Sequence, residues 1–147
     1  MFHRFQSSVP NRRGSFPGIF AMTNGLRDAG LLTPADEEWV RWENAHGEAA
    51  YTDPSTVVAD CYSPRTNPGA RSWFKGEAYE LLAMARRYAA LLDCYEVPWV
   101  ELRTTRPGRL VFEDAMQVVA VPFVHEEHWP LRVPASGLRG TDRARSR

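Results

Sequence analysis

Residues 99–124 read WVELRTTRPGRLVFEDAMQVVAVPFV. Apolar and polar residues alternate from Trp99 to Thr104, the period of a half-buried strand. Arg106-Pro107-Gly108 is a turn former, residues 110–113 return, Glu113-Asp114-Ala115-Met116 turns again, and residues 117–124 are almost continuously apolar. The pattern predicts an antiparallel three-stranded meander whose last strand is the most buried. A two-residue loop at Pro107-Gly108 would place Arg103 opposite Phe112 and mix polar with apolar on both faces. A loop longer by one residue, with Gly108 left-handed, sets Val100 and Leu102 on the face of Leu110 and Phe112. Glu101, Arg103, Arg109 and Glu113 then share the other side.

Upstream, RSWFKGEAYELLAMARRYAALLDCYEV (residues 71–97) reads as the main helix. Ala78, Leu81, Leu82, Ala85, Tyr88, Ala89, Leu92 and Tyr95 form one stripe at helical spacing, with Glu77, Glu80, Arg87 and Asp93 opposite. Pro98 forbids continuation. A second helix starts after Thr33, which can cap it, with Pro34 in the first turn and Asp36, Glu37 and Glu38 at the positive helix end. Gly47 can stop it. Before it, Phe16, Ile19, Phe20, Thr23, Leu26 and Ala29 mark a first helix that Gly30 can end in a left-handed conformation, although Gly25 weakens it. The short link of residues 30–33 favours a helical hairpin. Residues 51–69 carry three prolines and several turn formers, with a short strand possible at residues 56–59. The whole predicts a single α+β domain over residues 15–132, three helices packed on a small antiparallel β-meander. Residues 1–14 are expected to be a flexible N-terminal segment and residues 133–147 a disordered Arg-rich tail.

Composition narrows the function classes. The chain has 147 residues, one ordinary domain, and 44% of it is hydrophobic. Basic and acidic residues balance at 18 each, so no overall field steers the molecule to nucleic acid, and strong non-specific nucleic-acid binding is not expected. Lys75 is the only lysine; so strong an arginine bias, with abundant Ala, fits a GC-rich bacterial genome. Cys61 and Cys94 make no C-x-x-C pair and no disulfide framework, which fits a reducing cytoplasm. No segment reaches the ~18 apolar residues of a membrane span, and the first residues lack the apolar core of a signal peptide.

No complete catalytic set is visible. His125 and His128 stand three apart rather than four, beside Pro122 and Pro130, so they lack the helical spacing of a zinc-protease pair; neither a metal nor a cofactor is expected. Cys61, next to Asp60, lacks the positive surroundings of a reactive thiol. Residues 65–76, RTNPGARSWFKG, have no P-loop order, yet their turn could offer backbone N–H groups to an anion, with Arg65, Arg71 and Lys75 near. Arg103, Arg106 and Arg109 surround one turn and could serve an anion as well; pairing with Glu101 and Glu113 is the structural alternative.

Gly18-Ile19-Phe20, Gly30-Leu31-Leu32-Thr33, Trp73-Phe74-Lys75, and Pro107 to Asp114 followed by Gln117-Val118 occur in this order. The chain resembles in this a set of small uncharacterised bacterial proteins, over roughly residues 16 to 121; the resemblance implies a shared scaffold, with 73–75 at a helix start, and no particular activity. The leading functional expectation is a binding or accessory protein that uses Arg65, Arg71, Lys75, Arg103, Arg106 and Arg109 on a protein partner or anionic ligand. The alternative is a small hydrolase or transferase with a site near Lys75, Arg103, Asp114, His125 and His128.

Overall fold

The fold comes from a computed structural model that describes residues 1–123. Expectations for His125, His128 and the tail from residue 133 lie outside the described residues. The elements run β1 (Phe2–Ser7), α1 (Ile19–Asp28), α2 (Pro34–Ala50), a 3-10 turn at Pro54–Thr56, β2 (Arg71–Lys75), α3 (Tyr79–Cys94), β3 (Trp99–Thr104), β4 (Arg109–Glu113) and β5 (Gln117–Val121). Three helices accompany one open antiparallel sheet, an α+β domain as the sequence predicts. Among the described residues, no helix is long and apolar enough to cross a membrane.

The strand order is β3-β1-β2-β5-β4. β4 and β5 form the expected hairpin, with a bulge between Leu110 and Phe112. Asp114 closes it: its Oδ1 accepts from the N–H groups of Met116 (2.8 Å) and Gln117 (2.9 Å). The pairing expected between β3 and β4 is replaced. β3 pairs along its whole length with β1, from Phe2↔Thr104 to Ser7↔Trp99, so β3 and β4 are opposite edges. Their connection, residues 105–108, must therefore cross the sheet. Four strand spacings are roughly 19 Å in a flat sheet, and five extended residue steps reach only about 17 Å. The sheet must curl, and one cluster shows that it does: Val100 and Leu102 of β3 pack with Trp73, Val118 and Ala120 of β2 and β5. Gly108 serves this crossing. Its φ is +135°, and a Cβ there would stand 2.0 Å from Val121 O.

Two further expectations are corrected. Phe2–Ser7 is a central strand rather than part of a flexible segment. Phe2 packs in the cluster with Trp73, and Phe5 packs with α1 and α3 in the main core. Apolar side chains on both faces hide the alternation that marks a half-buried strand. Arg71–Lys75 is strand β2, and α3 begins only at Tyr79. Residues 71–74 look helical only by continuity with the stripe of α3, but Trp73 and Phe74 point to opposite faces, into different clusters. Residues 56–59 form turns instead of a strand.

The helices follow the sequence closely. Thr33 caps α2 by accepting from Asp36 N–H (3.2 Å), with Pro34 in the first turn. Tyr95, at the end of α3, donates its hydroxyl to Asp36 Oδ2 (2.6 Å) and accepts from Thr33 N–H (2.9 Å), which ties the two helix ends together. Gly30, at φ +71°, ends α1 with bonds from Gly30 N–H to Arg27 O and from Leu31 N–H to Leu26 O. α2 runs past Gly47 to Ala50; that glycine lets the end of Met84 of α3 approach. The expected stripe of α3 is buried from Ala78 to Leu92, Tyr95 is half-buried, and Met84, Leu91 and Asp93 are buried in addition; Asp93 accepts from Trp99 Nε1 at 2.8 Å.

Two glycines test this arrangement with opposite signs. Gly25 is exposed, inside α1, with nothing within 4 Å of an added Cβ. Gly25→Ala is expected to raise unfolding free energy by about 1 kcal/mol. Gly108→Ala drives a Cβ into backbone and is expected to lower it by well over ~1 kcal/mol. Urea unfolding of both variants checks the pair.

Candidate anion-binding site

The arginines chosen from sequence are dispersed. Lys75 Nζ lies 2.6 Å from Glu113 Oε2 across β5. Arg103 Nε lies 2.8 Å from Glu101 Oε2 on the β3 edge. Arg106 lies over the Phe123 ring, 5.3 Å from its centroid, and Arg109 Nη2 donates to Asn67 Oδ1 at 3.4 Å. Arg65 is exposed on its loop. The turn expected to gather Arg103, Arg106 and Arg109 is instead the connection between opposite sheet edges. Asp114 is occupied in the β4–β5 turn. Of these residues only Arg71 lines one of the two cavities described next.

The second arginine of that cavity is Arg4, which sequence reasoning assigned to the flexible segment. β1 and β2 pair only at Phe2↔Lys75 and His3↔Phe74. Beyond these pairs the neighbour of β1 changes: Gln6 pairs with Gly18, and Ser7 N–H donates to Pro17 O at 2.8 Å. Arg4 fills the wedge where the two strands part. Its Nη1 donates to Ser72 O (3.1 Å), its Nη2 to Phe16 O (3.0 Å) and its Nε to Gln6 Oε1 (2.7 Å). One guanidinium thus ties together β1, β2 and the segment before α1.

All three acceptors are neutral. Arg4 forms no ion pair among the described residues. Arg4 keeps some exposure as a residue, but burial of its guanidinium, with Arg71 alongside, pulls its pKa down to about 9. Arg71 is pulled down to about 10 by burial. Both remain charged at neutral pH. The first residues of α1 stand beside them. A Cβ at Gly18 would lie 3.6 Å from both Nη1 and Nη2 of Arg4. α1 has no side-chain cap and no acidic residue in its first turn, so its first N–H groups present their partial positive charge here. Two guanidiniums and a helix N-terminus thus border one small space, a setting that favours an anionic group.

A cavity of about 290 Å³ opens at this point, lined by Arg4, Arg71, Tyr62, Ser72 and the start of α1. Burial pushes the Tyr62 hydroxyl up, while a hydrogen bond with Ser72 and the charge of Arg4 oppose it; the phenol stays protonated at neutral pH and can donate. The cavity shares Phe20, Ala21, Tyr62, Ser72 and Phe74 with a larger one of about 1020 Å³ between α1, the end of α2, residues 51–56 and the sheet. Gln117 Nε2 holds the loop wall by donating to Thr52 O at 2.8 Å. The larger cavity alone stands at the upper end of the size that small-molecule sites use.

Comparisons with protein-family models, with curated proteins and with solved structures returned no match.

A second charged group lies across β1, away from either cavity. Glu101 Oε2 meets Arg103 Nε at 2.8 Å and His3 Nδ1 at 3.1 Å. Burial pushes this carboxyl up, but the hydrogen bonds from Arg103 and His3 outweigh it, and the group ends below its ordinary 4.5. A lowered carboxylate stabilises the fold fully above the unfolded value and loses that contribution as pH falls through the folded one. Glu101→Gln is expected to cost roughly 1–3 kcal/mol at pH 7. In urea titrations, the gap between wild type and variant should shrink as pH falls below 4.5.

Proposed function

We propose that the protein is a binding protein for a small organic anion. The anionic group sits between Arg4, Arg71 and the N-terminus of α1, and the body of the ligand extends into the larger cavity. The observation that carries this reading is the convergence of two buried guanidiniums and an uncapped helix N-terminus on one cavity, where Arg4 has no carboxylate partner among the described residues. The sheet supplies a rigid floor through Ser72 and Phe74, and α1 supplies the backbone donors. The role is recognition: Lys75 and Arg103, the residues an enzyme reading would use, are each paired with a glutamate and line neither cavity. One buried and one exposed free cysteine fit work in a reducing compartment such as the cytoplasm.

Inorganic phosphate tests the reading. Anything that binds only the folded state raises its stability by mass action. Phosphate at millimolar concentration is expected to raise the melting temperature of the full chain above that in chloride of equal ionic strength. Arg71→Gln should abolish the increment, and Arg65→Gln, on the exposed loop, should keep it. An equal increment in wild type and Arg71→Gln would contradict the proposal.

A further inference from the structure

Resting on that anion-binding reading, we infer that Gln6 and Gly18 set the affinity of the site: Gln6 holds Arg4 without neutralising it, and Gly18 leaves open the space beside its guanidinium. The two residues are bridge partners at the wedge between β1 and the start of α1. A guanidinium carries five N–H donors and no acceptor. Three of them serve the bonds to Gln6, Ser72 and Phe16. One N–H on each of Nη1 and Nη2 is left without an acceptor among the described residues.

Gln6 is an unfavourable choice for its own position. It is fully buried, and its Oε1 accepts from Arg4 Nε at 2.7 Å. That bond fixes the orientation of the amide, because Arg4 Nε can only donate. The Nε2 end is then buried with no partner among the described residues, which destabilises the fold. Glutamate has the same shape. It would accept from Arg4 through a stronger, charge-assisted bond and would bring no N–H to leave unpaired. No acceptor lies within hydrogen-bonding distance of Nε2 to repel a carboxylate oxygen in its place. A carboxylate would, however, neutralise the guanidinium. What the amide preserves, at the expense of local stability, is the charge of Arg4.

Gly18 gives the second observation. Its φ of −74° and ψ of 168° are open to any residue. An added Cβ would meet Arg4 Nη1 and Nη2 at 3.6 Å each and Phe5 O at 3.8 Å, all ordinary contacts. Neither strain nor crowding calls for glycine here. A methyl group would nevertheless stand beside both Nη atoms, in space that an anion's oxygens need in order to approach them to about 2.7–2.9 Å. Glycine leaves that space to the ligand.

Calorimetric titration of the full chain with inorganic phosphate, at neutral pH and constant ionic strength, tests both residues when each variant is also unfolded in urea. Gln6→Glu should be at least as stable as wild type and bind phosphate at least about tenfold more weakly. Gly18→Ala should fold and weaken phosphate by at least about fivefold. Gly25→Ala, elsewhere on α1, should bind phosphate as wild type does. A merely structural role would lower affinity only in step with stability. Gln6→Glu that fails to fold, loses affinity only together with stability, or binds phosphate like wild type overturns the role of Gln6. Gly18→Ala that loses affinity only together with stability, or binds phosphate like wild type, overturns that of Gly18. These results leave the anion site standing where wild type binds phosphate and Arg71→Gln does not. Absence of phosphate binding to wild type overturns the anion-binding reading and this inference with it.

Discussion

The Arg4 guanidinium occupies the point where the sheet changes partners. β1 is bound to β3 along one side for its full length, but along the other it passes from β2 to residues 16–18 within a few residues. Two strands that part leave backbone carbonyls without ladder partners, and each such buried group would destabilise the fold. Arg4 satisfies Ser72 O and Phe16 O with one planar fork. Lysine, a single point donor, could not span that wedge. The same placement fixes the start of α1 against the sheet, and it commits a positive charge to the interior beside Arg71.

Fold and site are thereby linked. If β1 stayed paired with β2 throughout, residues 16–18 would have no edge to join, α1 would start elsewhere, and the smaller cavity would close. Curling of the sheet contributes from the other side. It brings β3 back over Trp73, Val118 and Ala120, so that the sheet encloses an apolar cluster of its own. The helices and the loop of residues 51–56 then border the two cavities. An anion placed between Arg4, Arg71 and α1 would meet donors from β1, β2 and a helix start.

Local chemistry made much of this fold legible in the sequence. Thr33-Pro34, Gly30, most of the stripe of α3 and the β4–β5 hairpin all depend on residues near in sequence, and the structure has each of them. What escaped was long-range pairing. Nothing local in Trp99–Thr104 tells whether its partner is β4, four residues later, or β1, almost a hundred residues earlier. β1 itself was hidden because it is covered on both faces: Phe2 and Phe5 belong to different clusters, so no alternation appears. β2 is masked in the sequence because RSWFK runs straight into a helical stripe. The site inherits these errors. Arg71 stands out by its charge and its neighbouring turn, whereas Arg4 lies in a segment whose pattern predicts flexibility and Tyr62 in a loop with no pattern. A signal for β1 existed in the aromatic pair Phe2 and Phe5 within a segment free of glycine and proline up to Ser8.

The central claim is that Arg4, Arg71 and the first amides of α1 form one anion site. NMR of the full chain, observing backbone amides and arginine Nε–H groups while inorganic phosphate is added, reports on each of these groups at once. The account predicts concerted, saturable shifts at Arg4, Arg71, Phe20 and Ala21, with Arg103, Arg106 and Arg109 unmoved. Shifts confined to Arg103, Arg106 and Arg109, or no saturable shift at Arg4 and Arg71, would contradict it.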